Sequence, residues 1–348
     1  METEQILERL CAVGAPSGCE GPAAEAAKEL LEPLMDEVWF DRLGSVVGVR
    51  RCGKPGAKRL LLDAHLDEVG LTVVGMERGF LRFALVGGVD VRMLPDREVT
   101  VLTDPPMFGV VACLPPHVLS AEDREKAPKL EELFIDVGLS QEEAERKIPL
   151  GTPVVYRPGF IKLGEDQLCG KAMDDRSCFT ALLRTAELLQ GRELDVDLYV
   201  LGSVREETGG MGAKVVTQAL APDFCVAVDV THGRTPDGPK NETFVLGGGP
   251  AVGIGPNMTR WMTRRMLDKA EQEGIAVQKE IMERSSGTNG WGMQVCNEGV
   301  ATAVLSIPLK YMHTPVETLD RNDIENTARL LAAFAANLGE EAAQCLRR

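Results

Sequence analysis

Four histidines, His65, His117, His232 and His313, make up the whole imidazole content of the chain. His65, His232 and His313 each stand near an acidic residue and beside the end of an apolar run that reads as a strand. Sites in open α/β sheets gather beyond the carboxyl ends of strands, which makes these positions candidate ligands. His65 and Asp67 occur in LLLDAHLDEVG, two residues apart on a strand and so on one face. A carboxylate there can hold the second ring nitrogen of a ligating histidine. Asp174 and Asp175 open a helix. One aspartate suffices as a cap, and a second leaves a carboxylate whose two oxygens can bridge two cations. Glu206 and Glu207 follow the strand DVDLYVLGSVR. Neighbours on an extended backbone point apart, so one can bind metal while the other handles protons. Asp229 is the only charge in DFCVAVDV beyond its first residue, and His313 follows another apolar strand in KYMHTPVE.

Each of these residues alone has an ordinary structural reading, as a hydrogen-bonded core histidine, a helix cap or a solvated acid. Together, two histidines and three carboxylates, drawn from His65, His313, the Asp174–Asp175 and Glu206–Glu207 pairs and Asp229, each at the end of its own strand, can supply both metals of a two-metal hydrolase. Such a pair shares a bridging carboxylate and a water whose pKa falls toward ~7. Mixed nitrogen and oxygen donors suit Zn²⁺, with Co²⁺ or Mn²⁺ compatible on the same grounds. A glycosidase would need two carboxylates roughly 5–9 Å apart across one bond. Adjacent Glu206 and Glu207 cannot provide that, and the histidines would have no part.

The elements that must position these groups change character along the chain. Ile6, Leu7 and Leu10 form one helical stripe, and PAAEAAKELLEPLM reads as a second helix. VWFDRLGSVVGVR and KRLLLDAHLDEVGLTVVG read as strands, the latter continuous enough to be buried on both faces. From about Gly70 to Val155 short strand-like pieces alternate with turns, interrupted by the charged stretch SAEDREKAPKLEEL and a capping-box helix start at Ser140 with Glu143. After Pro158-Gly159 longer strands and helices alternate, the mark of an α/β domain with a mostly parallel sheet. The expected fold is therefore α/β, a mostly parallel mixed sheet flanked by helices, with a small β-rich, barrel-like domain inserted. The expected division is a catalytic domain from 1–69 and 160–348 and an inserted domain from 70–159.

The 348 residues exceed what one core usually fills, and at 5% aromatic content the core must be aliphatic. A formal charge of −15 repels phosphate backbones and anionic lipid, so nucleic acid and membrane are not expected as partners. The nine cysteines (11, 19, 52, 113, 169, 178, 225, 296 and 345) are odd in number, widely spaced and without a CxxC pair, which fits a reducing compartment. METEQILERL lacks the apolar core of a secretion signal, and no run reaches the ~18 apolar residues of a membrane span, so a cytoplasmic location is expected.

HLDEVG, GKAMDDRS, VREETGGMGA, VAVDVTH and KYMHTPVE, in this order and spacing, resemble the TET-type (tetrahedral) dinuclear metallo-aminopeptidases. That family includes glutamyl and leucyl aminopeptidases and members once labelled endoglucanases. APSGCE, PPH at 115–117 and LFIDVGLSQEEAERKIPLGTPVV are weaker echoes, so the likeness covers nearly the whole chain. The resemblance implies a zinc-peptidase-like catalytic domain in which Asp174 bridges both metals. His65 and Asp229 would complete one site, and Glu207 and His313 the other. Glu206 would be the general base, taking a proton from water and passing it to the leaving amine. Asp67 would hold the His65 ring, and the Asp174–Asp175 peptide would be cis. Substrates would be peptides with free N-termini. The inserted domain would help build a homo-oligomer, dimer-based and assembled as a hollow tetrahedral dodecamer.

Three positions depart from the family pattern. Asn289 stands in GTNG where GTDA is usual, replacing an acid expected near the substrate cleft by an amide. Lys310 replaces an arginine before Tyr311 and is a poorer bidentate clamp. HGRTPDGPK after Thr231 falls out of register, so His232 receives no role. Alternative readings keep the fold and change the activity, either to a related two-metal amidohydrolase (deacylase, dipeptidase or carboxypeptidase) or to a non-catalytic assembly protein with a degenerate site.

Overall fold

A computed structural model describes residues 1–336 together with 338, 339 and 342; Cys345, read above among the cysteines, lies outside the described residues. Two helices, α1 (Thr3–Cys11) and α2 (Gly21–Leu31), precede strands β1 (Glu37–Phe40), β2 (Val46–Arg50) and β3 (Lys58–His65). Strands β4 (Gly70–Glu77), β5 (Phe80–Val86), β6 (Glu98–Val101), β7 (Met107–Ala112) and β8 (Phe134–Asp136) follow, then α3 (Gln141–Lys147) and β9 (Pro153–Tyr156). The chain continues through β10 (Phe160–Leu163), β11 (Gln167–Gly170), α4 (Met173–Leu188), β12 (Val196–Ser203), α5 (Met211–Leu220) and β13 (Phe224–His232). Last come β14 (Ala251–Ile254), α6 (Arg260–Gln272), β15 (Gln278–Ile281), α7 (Gly290–Met293), β16 (Ala301–Lys310), β17 (Glu317–Asp320) and α8 (Arg321–Ala335).

Eleven strands form one sheet in the order β1-β2-β12-β3-β13-β16-β17-β11-β10, with β14 on β16 and β15 on β14. Its four central strands, β12, β3, β13 and β16, run parallel. Covered on both faces, they need apolar residues at every position, which is why their sequences do not alternate. Leu60 and Leu62 of β3 pack with α4 and α8 in one core, and Leu61 between them joins the core of Ala213 and Val216 from α5 on the opposite face. Strands β4, β5, β8, β7, β6 and β9 close into a barrel filled by Leu71, Val73, Leu81, Phe83, Val99, Val101 and Ile135. The architecture is thus the mixed, mostly parallel α/β fold with a barrel that the sequence led one to expect. No helix among the described residues is long and apolar enough to cross a membrane.

Two local details differ from the sequence reading. VWFDRLGSVVGVR is not one strand but an antiparallel pair, β1 and β2, turning at Asp41–Ser45, where Asp41 accepts from the Leu43 and Ser45 amides. KRLLLDAHLDEVGLTVVG breaks after His65, with β3 in the large sheet and β4 in the barrel. SAEDREKAPKLEEL holds only short 3₁₀ turns, whereas the Ser140–Glu143 capping box forms as expected.

The break between β3 and β4 is held by a buried ion cluster. Glu68 receives Lys171 Nζ at 2.7 and 2.9 Å and Arg176 Nη2 at 3.0 Å. Arg176 also donates to the carbonyls of Leu66, Leu10 and Val13, tying the N-terminal segment to the start of α4. Removing the one carboxylate strands two cations in the core. Glu68→Gln is therefore expected to cost about 3–5 kcal/mol of folding stability, read by chemical denaturation. A loss under about 1 kcal/mol would mean that water reaches the cluster.

Candidate metal centre

The carboxyl ends of β12, β3, β13 and β16, together with the start of α4, deliver the predicted residues to one pocket of about 230 Å³. His65, Asp174, Glu206, Glu207, Asp229 and His313 all line it. His65 is the last residue of β3, in register with Ser203 of β12. Its Nδ1 lies 3.0 Å from the carbonyl oxygen of Asp67 and donates to it. His313 sits in the turn after β16 with φ 63°, and its Nδ1 donates to the carbonyl of Gly88 at 2.9 Å. Glycine is required at 88, because a Cβ there would stand 2.9 Å from that nitrogen.

A neutral imidazole that donates from Nδ1 carries a bare lone pair on Nε2. Both Nε2 atoms point at carboxylate oxygens. His65 Nε2 is 3.1 Å from Asp174 Oδ1, and His313 Nε2 is 3.3 Å from Asp174 Oδ2 and 3.1 Å from Glu207 Oε1. Carboxylate oxygens this close to Nε2 call for positive charge between them, supplied either by a proton that makes the ring an imidazolium or by a metal cation in its place. Asp174 Oδ1 is buried and accepts no hydrogen bond from the protein. His65, Asp174 and Glu207 offer ligand atoms within 4.8 Å of one another, as do His65, Asp175 and Asp229. The donor set, imidazole nitrogens with carboxylate oxygens, fits divalent cations of the Zn²⁺, Co²⁺ and Mn²⁺ kind.

The electrostatics point the same way. Burial pushes the Glu206 carboxyl up to about 7, with Glu207, Asp174 and Asp67 adding to it. Burial likewise raises Asp229 and Glu207. Burial also opposes a charged His313, but the carboxylates of Asp174 and Glu207 overcome it and lift its pKa to about 11. No lysine or arginine lines the pocket, so the excess negative charge calls for bound cations.

The supports differ in part from the sequence reading. The expectation that the Asp67 carboxylate holds the His65 ring is modified: the Asp67 carbonyl makes the 3.0 Å bond, and the carboxylate stands 3.5 Å from Nδ1. That carboxylate instead accepts from the Glu206 and Glu207 amides at 3.0 and 3.1 Å, and from Ser17 Oγ. Glu206 and Glu207 lie in a turn after Arg205 (φ 59°) rather than on extended backbone, because Asp67 gathers both amides. The Asp174–Asp175 peptide is cis, interrupting helical geometry at the start of α4.

Asn289 does not line the pocket. It is buried beside the sheet, donating to Asp63 Oδ2 at 2.9 Å and Ser203 Oγ at 3.0 Å. Lys310 reaches Gln167 at 3.3 Å, away from the site. His117 is exposed on a 3₁₀ turn, and His232 is exposed at the pocket rim. Sequence reading missed Glu317. Its Oε2 accepts from the Met173 and Asp174 amides at 2.8 and 3.2 Å, and its Oε1 from the His313 amide at 2.7 Å. Its place four residues after His313 in KYMHTPVE is the only sequence signal it gives.

The fold and the pocket at its strand ends define an α/β peptide hydrolase. The chain belongs to the M42 glutamyl aminopeptidase family, whose sequence profile matches residues 44–330. It is 35% identical over 316 residues to the lysyl aminopeptidase of Pyrococcus furiosus, covering 89% of this chain and 90% of that one. An aminopeptidase from the archaeon Desulfurococcus kamchatkensis shares its structure with a TM-score of 0.92 at 34% identity, over 99% of this chain and 98% of that one. The Pyrococcus horikoshii TET1 peptidase, which can assemble into a tetrahedron or a large octahedral shell, matches with a TM-score of 0.85 at 29% identity, over 96% and 99% of the two chains.

Proposed function

We propose that this chain is a metal-dependent aminopeptidase that removes N-terminal residues from peptides with a two-metal centre. The observation that carries the reading is Asp174, which turns one oxygen to each of two histidines whose other nitrogens are committed to carbonyls. Asp174, His65 and Asp229 would hold one ion, and Asp174, Glu207 and His313 the other. When bound, the ions supply Lewis-acid polarisation of the scissile carbonyl and acidify water, Zn²⁺ being favoured by the donor set over Co²⁺ or Mn²⁺. Glu206, whose carboxylate takes no hydrogen bond among the described residues, is the general base. Asp67 and Glu317 are positioning residues: Asp67 fixes the turn that bears Glu206 and Glu207, and Glu317 fixes Asp174 and His313.

The catalytic domain comprises 1–69 and 160–348, and 70–159 is an inserted domain serving oligomerisation. The assembly is a dimer-based tetrahedral dodecamer, by likeness to the Pyrococcus horikoshii shell. The free cysteines of the described residues fit a cytoplasmic setting.

Chelation by EDTA is expected to abolish hydrolysis of an unblocked peptide, and added Zn²⁺, Co²⁺ or Mn²⁺ to restore it; full activity in EDTA would sink the metal reading. N-acetylation of the same peptide separates the alternatives. An aminopeptidase refuses the acetylated peptide, and release of acetate from it would identify a deacylase.

A further inference from the structure

Besides the candidate metal ligands, the pocket is lined by residues that the reaction leaves unused, Glu280 among them. Glu280 lies on β15, where the register places it beside Gly253 of β14. Its Oε1 accepts from Thr231 Oγ1 at 2.6 Å, and its Oε2 is buried with no hydrogen bond of normal geometry, the Ser306 hydroxyl standing beside the carboxylate. Thr231 is two residues beyond Asp229 on β13, so its side chain leaves the same face about 7 Å further along the strand. Glu280 is thus held one side chain away from the metal-binding cluster. Two hydroxyls and the exposed His232 are its polar company, and no lysine or arginine pairs with it among the described residues. Met282 and Met312 line the same pocket and offer apolar, adaptable walls. Glu280 is half-buried with one carboxylate oxygen out of solvent, and it lines a pocket that holds no lysine or arginine side chain among the described residues.

We propose that Glu280 is the specificity residue of this enzyme and selects peptides whose first residue is basic. The stem of an N-terminal lysine or arginine runs along Met282 and Met312, and its ammonium or guanidinium meets the Glu280 carboxylate. A first residue bearing a carboxylate is rejected by like charge in a poorly solvated site. The preference is opposite to the one in the family's description, and it deepens the aminopeptidase reading on which it rests.

The test is a panel of peptides differing only in the first residue (Lys, Arg, Met, Leu, Glu), run with the metal-loaded enzyme and with Glu280→Gln. The wild type should favour Lys and Arg over Glu in kcat/KM. Charged hydrogen bonds of this kind discriminate roughly tenfold to a hundredfold, so Glu280→Gln should cut the Lys-to-Met ratio by about tenfold or more, chiefly through KM. Calorimetric titration with free L-lysine and L-glutamate reads the same preference without turnover, and the variant's lysine affinity should fall by about the same factor. A wild type that prefers Glu, or a variant that slows on all five peptides equally, overturns the proposal; the second result would mark Glu280 as a structural anchor for Thr231. Loss of activity on every peptide by the wild type would instead count against the aminopeptidase reading itself.

Discussion

Glu206→Gln is expected to keep the metal content of the wild type and to lower kcat by about 10²–10⁴-fold, with little change in KM. The backbone amide of residue 206 still donates to Asp67, so the turn and the neighbouring Glu207 stay in place. Glutamine matches the size of glutamate but cannot accept and return a proton. The carboxylate it replaces lines the pocket, is mostly buried and takes no hydrogen bond from any described residue, which leaves it available to water and to the leaving amine. Glu207 offers a contrast one residue away. It stands 3.1 Å from His313 Nε2, so Glu207→Gln should lower bound metal as well as rate. Metal analysis and steady-state kinetics on the two variants separate a proton carrier from a ligand. If Glu206→Gln retains near-full kcat, another group moves the proton.

The strands that carry the site were legible because of where they lie. β3, β12, β13 and β16 are covered on both faces, so LLLDAH, VDLYVLGS, FCVAVDVTH and ATAVLSIP read as aliphatic runs, and a charge on or beside one of them is conspicuous. What the chain does not announce is which distant group each polar atom meets. The break after His65 is not announced by a turn signal, because its cause, Glu68 with Lys171 and Arg176, joins residues more than a hundred positions apart. Adjacent Glu206 and Glu207 suggested an extended backbone, and their turn depends on an acceptor, Asp67, that comes 139 residues before the first of them. Glu317 acts through main-chain amides of Met173, Asp174 and His313, and amides leave no mark on sequence. Asn289 misled in the other direction, since a motif shows a residue's type and not the face it occupies.

Asp174→Asn is expected to reduce bound metal after dialysis from about two ions per chain to about one or none, with activity falling to the level of the chelated enzyme. The two carboxylate oxygens of Asp174 set this outcome. Each faces a different histidine nitrogen, at 3.1 and 3.3 Å, and an asparagine amide keeps a single acceptor oxygen beside an NH₂ that can only donate. One side of the bridge is therefore lost outright, and the charge that offset two cations goes with it. The main-chain bond from residue 174 to Glu317 needs no side chain, so the loop has reason to hold its course and the variant to fold. His65→Ala and His313→Ala complete the comparison, since each should forfeit one ion while Asp174 retains the other. Metal counted by atomic emission, with thermal unfolding run beside it, reads all three variants. If Asp174→Asn still holds two ions, the bridge lies elsewhere, and Asp175 becomes the next candidate, because its Oδ1 is also buried without a partner and it groups with His65 and Asp229.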